Sequence, residues 1–356
     1  MPHRWGLFLL LVTIGCQHDQ VPEPTTPVVD TLPDDGPPPR LTLNAEMDVT
    51  PAYTTDGTHL WYAWQRSDQA DRDLCLGLLP VQGGTRSHET CHAGAGSVGD
   101  SANWYLSPAP HPDGKRVAWF QLSSYFGGRG SSGEIVIAPV DATEDPSQRT
   151  GLQHFPIHAP SGRTHVMPEQ LQWANDSTLV YLAVLVTTND TLAAQDTFYS
   201  GLEIATLTLA GDTATLASIP GTGLASGVAV APGGKIVFTR NGDPRIFRTT
   251  LTGGPVETIH DFGNISNFAR DPVVAGDTIY AIVGGEISYG TYPIVGPLQL
   301  DKGGALWRGV AFTSTLVDDT RLFRHPTLSP DHRTVALEGR DLATRIQDIY
   351  LVKIAE

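Results

Sequence analysis

Six segments of this chain share one plan, and that repetition constrains the fold more than any other feature. Each opens on Pro-x-aromatic or an apolar equivalent, passes a tight acidic or Gly turn, and enters a β-rich run. They read DVTPAYTTDGTHLWYAW from Asp48, LSPAPHPDGKRVAWF from Leu106 and EQLQWANDSTLVYLAV from Glu169. The remaining three read SGVAVAPGGKIVFTR from Ser226, RDPVVAGDTIYAIV from Arg270 and RHPTLSPDHRTVALEG from Arg324. The first apolar residue after each turn is Leu60, Val117, Leu179, Ile236, Ile279 and Val335, at intervals of 43 to 62 residues. That is the period of a four-stranded antiparallel blade, and the Asp-Gly and Gly-Gly pairs supply the positive φ that short hairpin turns demand. The 37 glycines and 27 prolines leave little room for long helices. The predicted fold is all-β, a six-bladed β-propeller spanning residues 40–356.

After the second strand comes a third: DLCLGLL from Asp73, EIVIAPV from Glu134, RIFRTTL from Arg245 and DIYLVKI from Asp348. Gly turns follow at Gly83-Gly84, Gly253-Gly254 and Gly303-Gly304. This succession resembles the PD40 repeat of TolB-type propellers, roughly PxWSPDGxxIAF, then DIY, then GG, then LT. The first, second and sixth repeats match it well, the fourth through Pro232-Gly233-Gly234, while the third and fifth are degenerate and keep Trp173 or Pro272. The resemblance implies a TolB-like domain, without the folded amino-terminal domain that TolB carries ahead of its propeller. The sixth repeat ends at Glu356 after its third strand, whereas Arg40-Leu41-Thr42-Leu43 looks like the fourth strand of a preceding blade. An open edge exposes unpaired backbone groups. The amino-terminal strand is therefore expected to complete the last blade, with residues 40–44 beside residues 348–353.

The first sixteen residues, MPHRWGLFLLLVTIGC, read as an export signal with Arg4 ahead of an apolar run from Trp5 to Ile14. The run is too short to span a bilayer stably. Its end, Thr13-Ile14-Gly15-Cys16, resembles the bacterial lipobox, which implies lipidation of Cys16; the alternative is an ordinary cleaved signal with an incidental cysteine. Residues 17–39 are rich in proline and acid and read as a disordered tether. Cys75 and Cys91 lie eight residues either side of Gly83, so a hairpin turning there brings them onto adjacent strands and permits a disulfide. A one-residue slip would instead leave two buried thiols on opposite faces.

With a net charge of −15 and no basic cluster, the chain is unsuited to nucleic acid. It carries no Gly-x-Ser-x-Gly, His-Glu-x-x-His or phosphate-cradling Gly-Lys-Ser/Thr. Asp68, Asp71 and Asp73 lack the Gly and distal Glu of a calcium loop, and the pairs His88/His92 and His154/His158 fall on strand or loop rather than on a helix. No catalytic set, metal site or cofactor is expected. Trp61, Tyr62, Trp64, Trp119 and Tyr181 are expected to pack between blades.

Propeller geometry offers better candidates. The two residues before each Pro-equivalent position border the central channel: Val49-Thr50, Leu106-Ser107, Glu169-Gln170, Ser226-Gly227, Arg270-Asp271 and Arg324-His325. The ligand-binding candidates are thus Arg270, Asp271, Arg324, His325, Glu169, Gln170 and Asp48. Two arginines at one mouth suit an anionic group; alternatively they form salt bridges with Asp271, Glu169 or Asp48 and fix the blades. The expected function is a monomeric platform, held by its lipid on the periplasmic face of the outer membrane, for a protein or peptidoglycan-associated partner. The loops at 123–133 and 187–200 would be its adhesive parts. The alternative is a hydrolase or lyase using Asp271, His325 and Glu169 on a small molecule or glycan.

Overall fold

The computed structural model describes residues 40–43, 47–65, 73–91, 101–125, 131–143, 151–157, 163–188, 197–262, 268–276, 278–284, 294–295, 298–299, 310–311, 321–341 and 346–353. Its regular structure is antiparallel sheet. The first repeat forms β1 (Asp48–Tyr53), β2 (His59–Gln65), β3 (Leu74–Pro80) and β4 (Ser87–Thr90), and the second forms β5 (Ser101–Pro110), β6 (Arg116–Tyr125), β7 (Ser131–Pro139) and β8 (Gln153–Pro156). A single parallel bridge, Leu74 to Trp104, joins these two sets. Two four-stranded sheets follow: β9 (Arg163–Asn175), β10 (Thr178–Thr188), β11 (Thr197–Ala210) and β12 (Thr213–Ser218), then β13 (Ala225–Ala231), β14 (Lys235–Arg240), β15 (Arg245–Thr250) and β16 (Glu257–Asp261). The fifth repeat gives β17 (Phe268–Ala275), β18 (Thr278–Gly284), β19 (Ile294–Val295), β20 (Leu298–Gln299) and β21 (Val310–Ala311), and the sixth gives β22 (Arg321–Leu328), β23 (Thr334–Asp341) and β24 (Gln347–Lys353).

The turns between first and second strands form for local reasons. In the first, Asp56 Oδ1 accepts the N–H of Thr58 at 3.0 Å, and Gly57 takes φ +71°, which a side chain resists. The second strand of each blade-like set is covered on both faces by neighbouring sheets, so its apolar residues are buried on both. The residues that open it (Leu60, Val117, Leu179, Ile236, Ile279 and Val335) are all at most 1% exposed.

Alternation along these strands decides which sheet packs on which. Trp61 and Ala63 share a cluster with Val117 and Trp119, while Ala118 and Phe120 share one with Leu179 and Tyr181. Val180 and Leu182 meet Ile236 and Phe238, and Val237 meets Ile279 and Ala281. Ile282 meets Val335 and Leu337, and Ala336 returns to Leu60, Tyr62 and Trp64. Each sheet thus packs between its two neighbours, and each fully buried Leu, Ile or Val contributes about 1.5–3 kcal/mol. The aromatic residues Trp61, Tyr62, Trp64, Trp119 and Tyr181 lie in this packing, all of them buried.

The amino-terminal segment runs beside the last strand. Arg40 bridges Tyr350 antiparallel, and Leu41 N–H donates to the Ile349 carbonyl at 2.7 Å. Thr42 Oγ1 accepts the N–H of Ile349 at 2.9 Å, and Arg40 pairs with Asp348 at 2.5 Å. Leu41 itself is 2% exposed, in the cluster with Leu60, Ile349 and Leu351. Asn44 lies outside the described residues, as do residues 1–39 with Cys16.

Cys75, on β3, and Cys91, just after β4, have Cα atoms 4.5 Å apart and sulfurs at disulfide distance. The segments 123–133 and 187–200, expected as loops, instead carry strand at their ends: β6 pairs with β7 out to Ser124–Ser131, and β10 with β11 out to Thr188–Thr197. Their Thr, Phe and Tyr residues suit an extended ladder. Residues 126–130 and 189–196 lie outside the described residues.

Candidate functional site

The innermost strand is interrupted at one equivalent point in five of the six repeats, the third breaking between Glu169 and Gln172. Register breaks fall between Val49 and Ala52, Leu106 and Ala109, Arg270 and Val273, and Arg324 and Thr327. The residues in these bulges, Thr50, Ser107, Asp271 and His325, have φ between +46° and +51°, and Gln170 joins them at +56°. Left-handed conformation costs a non-glycine residue about 1–2 kcal/mol. At Thr50, Ser107, Gln170 and His325 it turns the backbone N–H toward a side chain of the neighbouring repeat. Proline follows the bulge in four cases (Pro51, Pro108, Pro272 and Pro326), where its missing N–H leaves no ladder bond unmade.

The side chains at these points link the strands in a closed course. Thr50 Oγ1 accepts the N–H of Ser107 at 3.1 Å, and Ser107 Oγ accepts the N–H of Gln170 at 3.2 Å. Gln170 Oε1 accepts the N–H of Val228 at 2.7 Å, and its Nε2 donates to Asp271 Oδ1 at 2.5 Å. Asp271 Oδ2 accepts the N–H of His325 at 3.3 Å, His325 Nδ1 meets Glu338 Oε2 at 2.8 Å, and that oxygen accepts the N–H of Thr50 at 3.2 Å. Gly227 is the equivalent residue in the fourth repeat, and Gln170 spans past it. A Cβ at Gly227 would stand 2.5 Å from the Asp271 nitrogen and 2.7 Å from Pro272 Cδ, so the fifth strand approaches this closely only because residue 227 has no side chain.

Charges gather at one side of this ring. Arg324 Nη2 lies 2.8 Å from Glu169 and its Nε 3.3 Å from Asp271 Oδ2. His325 is clamped between Glu338 at 2.8 Å and Glu169 at 3.3 Å. Burial disfavours its imidazolium, but Glu338 and Glu169 outweigh both burial and Arg324, and its pKa is pushed up to about 10. Burial likewise opposes the Glu169 carboxylate, but Arg324 and His325 bring its pKa down to about 2. Glu338 is lowered against burial chiefly by His325, and the Arg324 guanidinium is held charged by Asp271. Burial and the nearby Arg324 lower the pKa of Arg270, against Asp271 and Glu169.

Below the ring lies a cavity of about 300 Å3. Of the seven candidates from the sequence, Gln170, Asp271 and His325 line it, whereas Glu169, Arg270, Arg324 and Asp48 do not. Asp48 is fully buried on β1 opposite Trp64. Glu338 was missed by the sequence reading, since it comes from a second strand rather than a first. Its signal was a lone carboxylate in the apolar run Val335-Ala336-Leu337-Glu338, where burial demands a partner. Elsewhere, His154 pairs with Glu134 at 2.8 Å and His88 packs edge-on against Trp61, while Asp68, Asp71, His92 and His158 lie outside the described residues. Among the described residues, no three His, Cys, Asp or Glu side chains converge as a metal cluster, and no helix is long and apolar enough to cross a membrane.

No family model and no curated protein matches the chain. Solved structures do. TolB from Acinetobacter baumannii aligns at 14% identity and a TM-score of 0.50 over 85% of this chain, which spans 65% of the length of that structure. XC5397 from Xanthomonas campestris, a gluconolactonase, aligns at 13% identity and a TM-score of 0.51 over 88% of each chain. A luciferin-regenerating enzyme aligns at 10% identity and a TM-score of 0.52, over 86% of this chain and 91% of that one. At such identities the likeness concerns architecture and leaves activity open. The chain has a TolB-like β-propeller fold.

Proposed function

We propose that residues 40–356 form a six-bladed propeller, tethered by residues 17–39 to a lipid on Cys16, that serves as a binding platform. The partner is a protein or peptidoglycan-associated component of the cell envelope, met at the periplasmic face of the outer membrane by a monomer. The blade count is supported by the order of contacts among innermost strands, β1 to β5, β9, β13, β17, β22 and back to β1. Arg40 to Thr42 beside β24 support closure through the amino terminus.

The observation that carries the platform reading is the saturation of the charged cluster. Arg324 is divided between Glu169 and Asp271, and His325 between Glu338 and Glu169. With a pKa near 10, His325 holds its proton at neutral pH and cannot serve as a general base there. Glu169, near 2, holds no proton to donate. Groups tuned this far from neutrality fix the positions of blades and do not shuttle protons, which disfavours a hydrolase or lyase at this mouth.

Affinity capture from solubilised envelope with the anchored protein tests this. A captured partner, purified and remixed, should bind stoichiometrically and should survive Glu169→Gln in the cluster. A turnover reaction abolished by Glu169→Gln or His325→Gln in folded protein would replace the platform with an enzyme.

A further inference from the structure

The polar ring also acts as a floor. Apart from Pro112 on an adjoining turn, every residue lining the 300 Å3 cavity sits at a bulge position or its equivalent, or just downstream on an innermost strand. Asp48, Glu169, Arg270 and Arg324, just upstream, do not line it. The space is therefore a well with the polar ring as its floor, and Tyr53 and Trp173 line it three residues along their strands from the ring, which marks its rim. Three residues separate the floor at Thr50 from the rim at Tyr53, a depth of about 10 Å for extended chain.

The walls are rigid, and the exposed lining is divided about evenly between carbon and polar atoms, Gln172 and Thr327 included. Pro51, Pro108, Pro272 and Pro326 stand directly after the bulges, with Leu171 and Val228 at the two remaining positions. Proline offers no N–H and no freely rotating side chain, so these walls present carbon surface already fixed in place. The volume is that of about ten waters in bulk liquid, and water against the proline carbon lacks hydrogen-bond partners on that side.

The floor is electrically closed. Asp271 spends one oxygen on Gln170 and the other on His325 N–H and Arg324, and both ring nitrogens of His325 face carboxylates. A charged ligand would surrender hydration and meet no free counter-charge. A side chain from a docked protein falls short of a floor about 10 Å down, and a chain terminus that reached it would bring a charge.

We propose that this well is a binding site for a small uncharged molecule that offers both carbon surface and hydrogen-bonding groups, independent of the envelope partner. Chemically it takes a compact ring whose carbon faces meet the proline positions and whose hydrogen-bonding groups are directed at the hydroxyl, amide and carboxylate groups of the floor.

The test uses 4-fluorophenol followed by fluorine NMR on the intact protein, with 4-fluorobenzoate and 4-fluorobenzylamine as charged counterparts of similar shape. Saturable binding of 4-fluorophenol is expected, with indole competing and both charged probes at least tenfold weaker. Pro326→Trp and Pro51→Trp fill the well from two different blades. Each, where its melting temperature shows it folded, should weaken 4-fluorophenol at least tenfold. The absence of saturable binding, equal affinity for the three probes, or undiminished affinity in a folded Trp variant would overturn the proposal.

Discussion

His325 Nδ1 lies 2.8 Å from Glu338 Oε2, and through this contact the last repeat is tied to the first, because the same oxygen accepts the N–H of Thr50 at 3.2 Å. A folded-state pKa of about 10 for His325 exceeds its ordinary 6.5. Its contribution is therefore complete below pH 6.5 and lost as pH rises through 10. Glu169 is displaced the other way, from 4.5 to about 2, so its contribution is present above 4.5 and lost as pH falls toward 2. The cluster accordingly stabilises the fold most between about pH 4.5 and 6.5. Melting temperature against pH should decline on both sides, and His325→Gln should flatten the alkaline limb. His325→Ala, which strands the buried Glu338 carboxylate, should cost about 3 kcal/mol in chemical denaturation at pH 6.

Gly227 is required by proximity rather than by its own φ. Gly227→Ala would drive a methyl group into the Asp271 backbone and Pro272. A loss of about 1–3 kcal/mol is expected from such overpacking. Gly223→Ala is the control, since its Cβ would meet nothing within 4 Å. It should change stability by less than about 0.5 kcal/mol. Equal denaturation midpoints for the two variants would contradict the close approach of the fourth and fifth repeats.

Closure through the amino terminus can be separated from the tether. Deleting residues 17–38 should leave the melting temperature nearly unchanged. Extending the deletion through Asn44 removes Leu41 and the partners of Ile349, and should lower it sharply and promote aggregation through the freed edge of β24. Leu41→Ala alone should cost about 2–5 kcal/mol, as truncation of a buried leucine does. If both deletions melt alongside the intact protein, the closure must be redrawn.

Cys75 and Cys91 are positioned to form a disulfide. Protein purified without reductant is expected to show no thiol from either residue on titration under denaturing conditions. Reduction should lower stability by about 3 kcal/mol for a loop of this length.

The mature chain is expected to begin at Cys16 carrying lipid, with Gln17 next. Mass spectrometry of the amino-terminal peptide checks this directly, and an unmodified terminus cut elsewhere would remove the anchor.

The repeats in the sequence were sufficient for the architecture, because turn residues and apolar alternation act locally. Asp-Gly turns and the buried positions from Leu60 to Val335 follow from φ preference and period two alone. The same logic placed Arg40–Thr42 beside the last strand, since an unfinished sixth repeat needs an edge partner. It also located the polar pairs ahead of each proline. Sequence periodicity could not show that Thr50, Ser107, Gln170, Asp271 and His325 all adopt positive φ, nor that Glu338 reaches across from a second strand to join them. The sequence offered both an anionic ligand and salt bridges with Asp271, Glu169 or Asp48 for the arginines, and could not choose; the structure gives Arg324 to Glu169 and Asp271. Those outcomes depend on the distance between strands far apart in the chain, such as the approach of Asp271 to Gly227 and of Glu338 to Thr50. Only the packing of complete sheets sets those distances, and with them which charges are neutralised and which surface is left to bind.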